Sequence, residues 1–146
     1  MSNVLVAVPE NQEATQLEQL ECALANDGYW VLVRRGCTPT IEAAAASLEG
    51  ALDAVLLDSM LVAASLRQTR LGELKADIIT ELRRELGEMT LLLVYMTKPF
   101  CELSKDLQDA IWKSDALIDM PTNPSEIVSR LNFLLTCPRH RIPIPR

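Results

Sequence analysis

The sequence holds a single histidine, His140, and its four cysteines, Cys22, Cys37, Cys101 and Cys137, are scattered without a C-x-x-C pair. A structural zinc site needs a clustered set of Cys and His ligands, so a zinc cluster is excluded and the cysteines read as free thiols. Glycine is scarce, with five in the chain, and none follows the first apolar run, where the sequence reads Pro9-Glu10-Asn11-Gln12. That turn excludes the dinucleotide fingerprint and the P-loop, because both place glycine where the backbone must approach a phosphate. No apolar run reaches the length of a membrane span, and Met1 to Pro9 lacks the basic start and small-residue cleavage site of a signal peptide. The chain is therefore expected to be cytoplasmic and without membrane contact. Basic charge is short as well: 14 Lys and Arg stand against 20 Asp and Glu, a net charge of −6, which argues against a nucleic-acid surface. No Ser, Cys or Lys stands at recognisable spacing from a general base, and His140 has no partner nearby in sequence, so hydrolase chemistry has no support and no enzyme is expected.

What is present is the composition of a folded globular domain, 49% apolar and 23% charged, and 146 residues suffice for one full core. Asn3 to Val8 is a continuous apolar run with β-branched residues, the pattern of a strand covered on both faces. Leu17, Leu20 and Leu24 then recur at helical spacing among Glu and Gln, and Gly28 stands where a helix end favours a left-handed residue. Tyr29 to Val33 forms a second strand, and Thr38-Pro39-Thr40 opens a second helix with a hydroxyl available as cap and Gly50 at its close. Ala54 to Leu57 is a wholly apolar third strand that delivers Asp58 at its carboxyl end. From Met60 to Leu86 the stripe Leu71, Leu74, Ile78, Leu82 and Leu86 predicts one long helix or two. Thr90 to Met96 is a fourth strand, Leu103, Leu107 and Ile111 mark a short helix, and Ala116 to Ile118 is a fifth strand. Asn123-Pro124-Ser125-Glu126 opens a last helix with a cap, a proline in the first turn and a carboxylate at its third position. Residues 137–146, with three prolines and three arginines, form a basic tail or linker outside the domain of residues 1–136. Trp30 and Trp112 read as packing residues, Trp112 being the better candidate for a partner anchor.

Strands alternating with helices wind a parallel sheet covered on both faces, and in such sheets ligands bind at the carboxyl ends of the strands. The order of elements from about Asn3 to Leu135 resembles the receiver domain of two-component response regulators, an α/β fold of five parallel strands in the order 2-1-3-4-5. The stretch Ala54-Val55-Leu56-Leu57-Asp58-Ser59-Met60-Leu61 is similar to the receiver's third strand, and Ile118-Asp119-Met120-Pro121 with Asn-Pro-Ser-Glu-Ile is similar to its fifth strand and last helix. Gly28-Tyr29 also stands where receivers often carry that pair. The resemblance implies that Asp58 is the candidate phosphoryl acceptor, that Thr97 matches the hydroxyl sensing the phosphoryl group, and that Pro121 is a candidate cis proline.

The departures from that pattern fall on the pocket. Val8 and Pro9 occupy the neighbourhood of the receiver's acidic pair, which leaves Glu10 with Asp58 as the candidate magnesium ligands. Met120 matches the receiver's lysine, and a thioether does not neutralise a phosphoryl group as an ammonium does. Lys98 either replaces that ammonium or is a plain strand exit, the reading preferred here. The segment Met60 to Arg70 lacks the expected Pro and Gly, so the loop beside Asp58 is expected to be reshaped. Three functions follow: a degenerate receiver that binds a signalling partner, a histidine kinase or a downstream effector, through a docking or dimer face on the last helix and the helix after the fourth strand; a working receiver phosphorylated on Asp58 with Mg²⁺; or a flavodoxin-like module for a small ligand or flavin. The first is the expectation carried forward.

Overall fold

The computed structural model describes residues 2–119 and 123–136. Five parallel strands, β1 (Asn3–Val8), β2 (Trp30–Arg35), β3 (Ala54–Asp58), β4 (Leu91–Tyr95) and β5 (Ala116–Ile118), form one sheet in the order β2-β1-β3-β4-β5. Between them run α1 (Ala14–Asn26), α2 (Thr38–Ser47), α3 (Ser59–Arg70), α4 (Ile78–Leu86) and α5 (Lys105–Ile111), with α6 (Pro124–Thr136) after β5. A short 3₁₀ turn at Phe100–Glu102 precedes α5. Parallel neighbours require crossovers, and α1, α2, the α3–α4 pair and α5 supply the four between successive strands, while α6 follows the last. The α/β architecture and strand order expected from the sequence are therefore those observed.

The central strands are apolar on both faces because both faces are covered. Leu5, Ala7, Val55, Leu57, Leu92 and Val94 pack with Ile41 and Ala45 of α2, Ile78 and Leu82 of α4, and Leu107 and Ile111 of α5. The alternate residues Val4, Val6, Val8, Leu56, Leu93 and Tyr95 pack with Leu17, Leu20 and Leu24 of α1 and with Ile127, Val128 and Leu131 of α6. The period of two along the strands thus sorts one apolar run into two cores.

Several local expectations are corrected. Thr38 does not cap α2: Cys37 holds the cap position without a side-chain bond, and the Thr38 hydroxyl is buried inside the first turn with no partner among the described residues. The Met60 to Leu86 stretch is two helices. Leu71, placed in the apolar stripe by its spacing, instead ends α3 and is 73% exposed, and Gly72 turns the chain at φ +78°. Asp77 then caps α4 by accepting from the Thr80 amide at 3.0 Å, and the Ser65 hydroxyl ties the two helices by accepting from the Ile78 amide at 3.0 Å. The last helix starts as expected, with Asn123 accepting from the Glu126 amide at 2.9 Å. Both tryptophans expected to pack are largely exposed, Trp30 at the sheet edge and Trp112 after α5. The tail, with Cys137 and His140, lies outside the described residues. No helix among the described residues is long and apolar enough to cross a membrane.

The far edge of the sheet is held by Arg83. Its guanidinium donates to the carbonyls of Gly87 (3.1 Å) and Thr90 (3.0 Å) and to the Asp115 carboxylate (2.6 Å), which also accepts from the Leu92 amide at 2.8 Å. One planar fork therefore joins α4, the turn before β4 and the start of β5. Arg83→Ala should lower stability by about 1–2 kcal/mol, as a shift of the urea midpoint at unchanged slope, and Arg83→Lys should recover less than half of that loss.

Candidate functional site at the carboxyl ends of the strands

Parallel strands all end on the same side, so Val8, Asp58 and Tyr95 finish along one rim with the turns that follow them. Asp58 is the centre of that rim. It is the last residue of β3 and also the N-cap of α3, with extended backbone (φ −70°, ψ 135°). Its Oδ1 accepts from the Met60 amide at 2.8 Å, satisfying an amide the helix cannot pair internally. The residue is 0% exposed, and its Oδ2 is buried with no hydrogen-bond partner among the described residues. Burial disfavours the charged form and pushes the carboxyl up to about 6, against the pull of the Met60 bond. The reshaped loop expected beside Asp58 is thus a helix that begins at Ser59 and closes over the carboxylate.

Ser59, in the first turn of α3, reaches across to the turn after β4. Its Oγ accepts from the Thr97 amide at 3.2 Å and lies 3.2 Å from the Thr97 hydroxyl. Thr97 therefore faces the beginning of α3, one residue from Asp58. Lys98 is exposed and forms no ion pair among the described residues. Tyr95 pairs in register with Asp58 and is 6% exposed, and its phenol is held above its ordinary range by burial first and by the charge of Asp58 second.

On the β1 side, Val8 is wholly buried, Pro9 is half-buried and Glu10 is exposed. Arg35, at the end of β2, fixes this turn by donating to the backbone carbonyls of Gln12 (2.7 Å) and Glu10 (3.4 Å). The donor set does not fit Mg²⁺, which takes an octahedron of oxygens and usually carboxylate charge. Asp58 has one oxygen engaged by a backbone amide and the other sealed, Glu10 sits on an exposed turn, and no group of three or more His, Cys, Asp or Glu among the described residues is placed to hold a metal. Met120 and Pro121 lie outside the described residues, so the residue in place of the lysine and the candidate cis bond are not located. Ser59, Tyr95 and Arg35 were not singled out from the sequence. The only signal for Ser59 was a hydroxyl directly after Asp58, and for Arg35 a base at a strand end, and neither pattern is distinctive before the rim is assembled.

By sequence, the chain matches no protein-family profile and no curated protein. By structure it is similar to many solved chains. A response regulator from Thermotoga maritima superposes with a TM-score of 0.62 at 20% identity, covering 93% of this chain and 99% of that one. A pilus assembly-related protein from Burkholderia pseudomallei superposes at 0.63 and 24% identity, over 93% of this chain and 90% of the other. A chain of the complex between histidine kinase ThkA and response regulator TrrA superposes at 0.64 and 17% identity, over 92% and 99%. The chain has the fold of response-regulator receiver domains.

The raised carboxyl of Asp58 carries a pH dependence with a definite sign. Between the ordinary value of 3.8 and about 6 the folded chain keeps a proton that the unfolded chain has released, so this group's contribution to stability falls as pH rises through that window. The loss is on the order of 3 kcal/mol, and Asp58→Asn, which keeps an oxygen for the Met60 amide, should remove it. Urea titrations should show the variant gaining on the wild type between roughly pH 4 and pH 7, with the difference level above that.

Proposed function

We propose that this chain is a receiver-like signalling module that acts by docking a protein partner, with Asp58 withdrawn from phosphoryl transfer. The observation that carries this reading is the burial of Asp58 beneath its own helix. A phosphodonor needs an accessible carboxylate oxygen for in-line attack, and here one oxygen caps α3 while the other has no accessible surface. The surrounding donors also supply too little opposite charge for a phosphoryl group and its divalent ion.

Thr97 supports the same reading. The hydroxyl of the turn after β4 is already joined to Ser59, so the contact between that turn and the start of α3 exists without a phosphoryl group. The partner face we assign is the one carrying α5, β5 and α6. Trp112 stands 57% exposed there and packs edge-on against Phe100, with ring centroids 5.6 Å apart at 73°. Large, rigid aromatic surface of this kind anchors interfaces at small entropic cost. A histidine kinase or a downstream effector in the cytoplasm is the class of partner, and the likeness to a pilus assembly-related protein extends it to assembly machinery.

Acetyl phosphate with Mg²⁺ tests the withdrawal of Asp58. The expected result by intact-protein mass spectrometry is no phosphoryl adduct. A mass gain of one phosphoryl group in the wild type, absent in Asp58→Asn, would establish the competing reading of a working receiver.

A further inference from the structure

We propose that a cleft above Tyr95, between the beginnings of α1 and α6, is a binding site for a small uncharged heterocycle of the nucleobase type. The cleft has a volume of about 340 Å³ and lies where the two helices meet the carboxyl end of β4, lined among others by Gln12, Gln16, Leu17, Leu20, Tyr95 and Asn123. That size lies at the small end of ligand pockets and suits a compact ring system. The inference does not rest on the docking reading, although the start of α6 borders both the cleft and the face assigned to the partner.

Tyr95 carries the argument. Its ring is nearly buried, yet its hydroxyl has no hydrogen-bond partner among the described residues. A buried phenol usually finds a partner. The space that Tyr95 borders is the cleft.

The rest of the lining defines the ligand. None of the described side chains that line it carries a charge at neutral pH, since burial and the neighbouring Asp58 keep Tyr95 protonated. An ion entering the cleft therefore gains no side-chain counter-charge among the described residues. The Gln and Asn amides each offer a donor and an acceptor, which complements a ring edge bearing both side by side. Leu17 and Leu20 give the ring body an apolar wall.

Titration of the isotope-labelled full chain with adenosine, uridine and adenosine monophosphate, followed by amide NMR, tests the site. Saturable shifts centred on Gln16, Thr97 and Asn123 with at least one nucleoside are expected, with weaker binding of the charged nucleotide. Tyr95→Phe should weaken nucleoside binding by about fivefold, the value of one neutral hydrogen bond, while its urea midpoint stays equal to or above that of the wild type. The proposal is overturned by the absence of shifts at these residues with either nucleoside up to roughly millimolar concentration. Shifts unaffected by Tyr95→Phe, or binding of the nucleotide as tight as that of the nucleosides, overturn it equally.

Discussion

The hydrogen bond from the Met60 amide to Asp58 organises the site end of this molecule. A helix must begin with amides that have no partner inside it, and a carboxylate at the cap position supplies one. Because the cap residue is also the last residue of the central strand, there is no loop between β3 and α3. The carboxylate at that junction is wholly buried. Burial there raises the Asp58 carboxyl against the pull of the Met60 bond and leaves its second oxygen sealed.

That arrangement extends outward through short contacts. Ser59 follows Asp58 and holds Thr97, which joins the start of α3 to the end of β4. Ser65, further along α3, holds the first amide of α4, and Asp77 there also accepts from the Lys113 ammonium at 2.9 Å. Helix α3 is consequently fixed at both ends, and its Leu61 and Val62 join the core beneath α2, α4 and α5. On the opposite face, the α1 and α6 layer is joined by Asn132, which bonds Tyr29 and Asp27 beside the end of α1. The two layers differ in that α1 and α6 leave a cleft at their beginnings that Tyr95 borders, whereas Asp58 on the neighbouring strand is wholly buried.

Most of the fold was legible because the strands are short, apolar and separated by helical periodicity. Asn3–Val8 and Ala116–Ile118 were read to the residue, and the cap at Asn123 was identified from residue types alone. Leu71 has the spacing of a stripe residue, yet contacts absent from its local sequence displaced it, and Thr38 has the chemistry of a cap, yet its neighbour Cys37 holds that position. The chain reverses at Gly72 because Ser65 and Asp77 set where α4 begins, and Thr38 enters the helix because Cys37 has taken the extended cap conformation.

The amino-acid order by itself determined the alternation of strand and helix, the parallel sheet that follows from it, and the delivery of Asp58 to the rim, all of which depend on periodicities of two and 3.6 residues. It also determined that the uncharged Val8 and Pro9 stand at the carboxyl end of β1. Only the tertiary structure decided that Asp58 is sealed, that Ser59 meets Thr97 across 38 positions of chain, and that Arg35 braces the turn after β1. Desolvation and cross-strand contact depend on which atoms the folded chain brings together, and local patterning carries no information about distance between residues remote in sequence.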